Sequence, residues 1–80
     1  MLSFRISHVY AFISRDPATD EEGVCGFLGP DGVMWPMVAA NEERLTQLRP
    51  LARAIAQRTG RPVTLARFTT REEMESYTPS

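Results

Sequence analysis

Eighty residues with nine arginines, no lysine, ten acids, one cysteine and one histidine give a net charge of −1 and room for a single domain. A lone cysteine and a lone histidine exclude an internal disulfide and a four-ligand Cys/His zinc site, and the charge excludes a globally basic nucleic-acid footprint. No apolar run reaches the ~18 residues of a membrane span, and Ser7 and His8 interrupt the N-terminal apolar stretch, with no small-x-small pattern before Asp16-Pro17. No membrane segment or signal peptide is therefore expected, and the expected location is cytoplasmic.

Residues 2–14 predict a first strand. Leu2, Phe4, Ile6, His8, Tyr10 and Phe12 share one face, while Val9, Ala11 and Ile13 make the other apolar, as in a central strand. Residues 15–23 hold four acids, a proline and a glycine, and read as a loop. Val24–Leu28 and Val33–Val38 predict a hairpin around the turn Gly29-Pro30-Asp31-Gly32, and Pro36 implies an edge or a bulge.

Asn41 is a good N-cap, with Glu42 and Glu43 in the first turn. Leu45, Leu48, Leu51, Ala52, Ile55 and Thr59 then form an apolar-side stripe, closed by Gly60 and Pro62. Pro50 predicts a kink or a split near residues 46–49. Residues 62–69 predict the last strand. Thr70 and Glu73 have capping-box spacing, which predicts a short helix to about Tyr77 and a tail over 78–80.

The expected architecture is one α+β domain over residues 1–77, in the order β-β-β-α-β. It is a four-stranded, mainly antiparallel sheet with one Pro-kinked amphipathic helix on one face. The expected strand order is 3-2-1-4, with the last strand parallel to the first. One helix leaves the second sheet face bare, with Val9, Ala11 and Ile13 on it and Met34 or Trp35 according to register. A homodimer through that face or through an edge strand would cover it.

Four stretches carry a resemblance: Glu21-Glu22-Gly23-Val24, Trp35-Pro36-Met37-Val38-Ala39, Leu48-Arg49-Pro50-Leu51-Ala52 and Thr59-Gly60-Arg61-Pro62-Val63. The chain resembles the small proteins of phages and mobile elements of GC-rich bacteria, some of which are host-defence inhibitors, anti-CRISPR proteins among them. The resemblance implies a non-enzymatic protein that binds and blocks a host complex. It assigns no functional residue.

Catalytic constellations are weak. His8 and Cys25 would make a base–nucleophile pair across adjacent strands, yet both fall in strands expected to be core. Ser7 or Ser14 with His8 and Asp16 carries no spacing signal. Asp16, Asp20, Glu21 and Glu22 lack the glycine and alternate ligands of a calcium loop. No enzyme, metal or cofactor is expected.

Two charged segments remain. Residues 1–40 hold two arginines against five acids, and residues 41–80 seven against five. Arg44 to Arg71 contains seven arginines and no acid. Arg49, Arg53, Arg58, Arg61, Arg67 and Arg71 are candidate contacts to an acidic partner or to phosphates. The acidic loop, Asp16, Asp20, Glu21 and Glu22, suits a basic surface, and Met34, Trp35 and Met37 of the hairpin suit an interface. The expectation is a protein-binding module acting on a host or self protein by surface occlusion. The alternative is a small nucleic-acid-binding protein using the arginine-rich segment.

Overall fold

The computed structural model describes residues 6–79; Leu2 and Phe4 of the expected first strand and Ser80 of the tail lie outside the described residues. Six strands and one helix follow in order: β1 (Val9–Arg15), β2 (Glu22–Val24), β3 (Gly26–Leu28), β4 (Met34–Pro36), β5 (Val38–Ala39), α1 (Glu42–Thr59) and β6 (Val63–Phe68). The α+β class is as expected, and the sheet pairings are all antiparallel.

The hairpin differs from expectation, because each of its strands is broken in two, at Cys25 and at Met37. Its distal half, β3 with β4, is a two-stranded sheet pairing Phe27 with Trp35 and Leu28 with Met34. Its base opens around β1. Val24 pairs with Ile13 through β2, and Val38 pairs with Ala11 through β5. Three backbone bonds tie the opening. Cys25 N donates to Phe12 O (2.8 Å), Phe12 N to Met37 O (3.1 Å), and Met37 N to Cys25 O (2.8 Å). The side chains of all three residues are buried. Pro36, which has no N–H, sits at the last distal pair before the strands part, in keeping with its bulge assignment. The turn itself is as read: Gly32 takes φ +80° and donates to Gly29 O at 3.0 Å.

The last strand lies beside the first, as expected, but antiparallel to it, with Tyr10 opposite Arg67 and Phe12 opposite Leu65. The reason is the opened hairpin. β5 itself pairs antiparallel with β1, and α1 carries the chain across β1 to its other edge. A crossover through a helix keeps strand direction, so β6 runs parallel to β5 and opposite to β1. The expected order 3-2-1-4 is replaced by β1 flanked by β6 on one edge and by both β2 and β5 on the other.

α1 begins and ends where its caps dictate. Asn41 Oδ1 accepts from Arg44 N at 2.8 Å, and Gly60 takes φ 69° while its N–H reaches Ala56 O. Pro50 does not split it: the helix is continuous over 18 residues. Pro50 lies on the exposed side, so the missing N–H and the crowded Thr46 carbonyl are both away from the core. Leu45, Leu48 and Ala52 pack on Phe12, Cys25, Met37 and Ala39, and Leu48 and Met37 are fully buried. Leu51, assigned to the stripe, is exposed instead.

The expected C-terminal helix is absent: residues 70–79 carry no helical turn and are exposed throughout. Seven residues without a packed face do not repay helix nucleation. Glu73 pairs with Arg71 (2.7 Å) rather than closing a capping box. Nearby, Tyr77 donates to the Glu75 carboxylate, which raises the phenol above its ordinary pKa.

Candidate functional site

The register decides which side chains α1 covers. Tyr10 and Phe12 face the helix, so Val9, Ala11 and Ile13 face away, as do their partners Phe68, Ala66 and Thr64 on β6. Val24 and Val38, opposite Ile13 and Ala11, share that side. Cys25 and Met37 point into the core, so alternation carries the same side onto the distal hairpin through Leu28 and Met34. Met34 lies across Gly26, where an added Cβ would meet its Cγ and Sδ at 3.2 Å. Val24, Leu28, Met34 and Phe68 each leave half or more of their surface exposed. One apolar face therefore runs across both sheets; among the described residues no element lies over it, and its exposure is at Val24, Leu28, Met34 and Phe68, since Ala11 at its centre is 4% exposed.

Of the sequence-derived residues, the hairpin set divides. Met37 is fully buried in the core and is removed from the contact surface. Met34 stands on the bare face. Trp35 points to the helix side with Phe27 and remains 47% exposed. Its indole lies against Gly29, where a Cβ would come within 3.0 Å of Nε1. The Arg44 guanidinium sits 5.9 Å from the Phe27 ring centroid beside it.

The acidic loop is tied to itself. Asp16 accepts from Ala18 N at 2.9 Å, and Asp20 adopts φ 62°. Arg15 reaches Asp20 at 3.5 Å and Glu22 at 3.0 Å, which partly neutralises the cluster.

The arginines do not form one track. Arg49 and Arg53 line a groove between α1 and β6. Arg67 stands on the helix side of β6, opposite Tyr10. Arg58 is in the last turn of α1, where it complements the helix dipole, and Arg61 follows the cap. Arg71 is engaged with Glu73 and with the carbonyl of Ile6 (3.4 Å).

The residues singled out for catalysis are not brought together. Cys25 is buried among Phe12 and Met37, whereas His8 lies just ahead of β1, against Ser7 Oγ (3.2 Å) and edge-on to Tyr10 (5.2 Å). His8 and Asp16 flank β1 at its two ends, about 26 Å apart by strand rise, which rules out a triad through both. Among the described residues, no three or more His, Cys, Asp or Glu side chains are grouped to hold a metal ion. No helix among them is long and apolar enough to cross a membrane.

The sequence places Val9, Ala11 and Ile13 on the bare face and leaves Met34 or Trp35 open by register, which the structure resolves to Met34; it misses Val24, Leu28, Val38 and Phe68. The signal for Phe68 was its alternation with Leu65 and Val63. For the others the signal was parity about Cys25 and Met37, legible once those two are known to point inward. The chain matches no family model, no curated protein and no solved structure.

Proposed function

We propose that this chain is a non-catalytic protein-binding module whose working surface is the sheet face opposite α1. One observation carries the reading. Val24, Leu28, Met34 and Phe68 expose half or more of their surface on one continuous apolar side of an 80-residue chain. Contiguous exposed apolar surface of this kind marks interaction sites. The partner is a host or self protein. A second copy, meeting the same face through a two-fold axis, makes the homodimer form of the reading. The host form is a phage or mobile-element accessory protein of the anti-CRISPR kind, which blocks a host complex by occlusion. Dispersal of the arginines and the net charge of −1 weigh against nucleic acid as the main ligand.

The test is photo-crosslinking in cells that express the chain. Benzoylphenylalanine replaces Phe68 or Met34 on the bare face, and Leu51 on the outer side of α1 serves as the control position. The reading expects one discrete adduct from both bare-face positions, at the mass of a dimer or of a single partner, and none from position 51. No discrete adduct from either bare-face position, or the same adduct from all three, would overturn it.

A further inference from the structure

β6 is an edge strand of six residues. Among the described residues it pairs only with β1, which leaves one row of its backbone N–H and C=O groups facing outward. The usual devices that blunt an edge are missing from it. It contains no proline, glycine or lysine, and its only charge is Arg67. On the helix side, a groove of about 280 Å³ separates β6 from α1, floored by Ala52, Val63 and Leu65 and lined by Arg49 and Arg53. Arg67 stands on the same face two positions beyond Leu65. The ion pairs among the described residues use Arg15 and Arg71, so these three guanidinium groups lack an acidic partner there.

An open edge beside a helix is the geometry in which an extended peptide adds as a further strand. Its backbone supplies the ladder bonds, and alternate side chains enter the groove. We propose that the α1–β6 groove binds an extended acidic segment of a partner protein as a strand on β6. One apolar side chain sits on Leu65, and flanking carboxylates meet Arg49, Arg53 and Arg67. Arginine holds carboxylates through paired hydrogen bonds, so charge and geometry select the same ligand. Phosphates of a nucleic acid would satisfy the arginines but not the backbone row. Phe12, the aromatic ring at the groove, is 4% exposed and offers no base a stacking surface. The proposal rests on the reading of the chain as a protein binder, but it uses different residues from the bare face, and the two fail separately.

The test titrates the full chain against a fluorescent peptide, acetyl-Thr-Glu-Val-Leu-Val-Glu-Val-Ser-amide, whose Glu, Leu and Glu share one face. Saturable binding is expected. Replacing both glutamates by glutamine, or combining Arg53→Glu with Arg67→Glu in the protein, should each weaken it about tenfold. Both arginines are exposed, and an unchanged circular dichroism spectrum verifies that the variant folds. N-methylation of alternate peptide residues should abolish binding in one phase and spare it in the other, and the amides that shift should be those of residues 63–68. Absence of saturable binding would overturn the proposal. So would equal tolerance of both N-methylated phases, shifts centred on the β3–β4 hairpin, or tighter binding of a short oligothymidylate at the same residues. A missing adduct from position 34 or 68 in the crosslinking experiment would leave this result unaffected.

Discussion

Met34 and Met37 stand three residues apart, and one is 63% exposed while the other is fully buried. Composition treats them alike; the pleat does not. Met37 closes the junction with Phe12 and Cys25, where its backbone is also bound, so Met37→Ala should cost about 2–5 kcal/mol. Met34→Ala should stay within about 0.5 kcal/mol. Urea unfolding of the two variants checks the pair. For an 80-residue domain, with about 4–12 kcal/mol in total, the first loss is a large share. Equal costs would mean that the hairpin does not open around β1. Alternation along residues 33–38 says only that Met34, Trp35 and Met37 cannot all face inward. Which of them does so follows from the break at Met37, and that break depends on β1, far away in sequence.

At the scale of elements, the helix was the most legible part, because its signals are local. Asn41, the acids after it and Gly60 act through bonds within one turn, and both ends fall where they predict. Pro50 does not split α1, because the rest of the helix is held by Leu45, Leu48 and Ala52 against the sheet. That packing outweighs one lost bond on the exposed side. Pro50→Ala restores the N–H to Thr46 O without touching the core. It should stabilise the domain, by up to about 3 kcal/mol, seen as a higher melting temperature. A lower melting temperature would mean that Pro50 shapes the contact between α1 and the sheet. Thr70 to Tyr77 fails as a helix for the converse reason: its capping signal has no packed face behind it. Direction of β6 was illegible because it depends on how β5 pairs, a contact set by the whole fold.

For the whole molecule, one helix serves a sheet with two faces. Phe12, Met37 and Leu48 build the core on one side, and Leu28, Met34 and Phe68 remain on the other. The sequence predicts a bare face from β1, with Met34 or Trp35 of the hairpin added according to register. The opened hairpin enlarges it, since β2 and β5 set Val24 and Val38 beside Ile13 and Ala11. The acidic loop lies at one end of β1, apart from most of this face, with Arg15 paired to Asp20 and Glu22. Whether the bare face is covered in the cell therefore decides the function. The direct measurement is fluorescence-detected sedimentation of the labelled chain in an extract of the cells that express it, wild type beside Leu28→Asp/Phe68→Asp. The wild type should sediment in a complex, and the double variant, equally folded, as the free domain. Wild type sedimenting as the free domain, or both chains in the same complex, would contradict a binding role for this face.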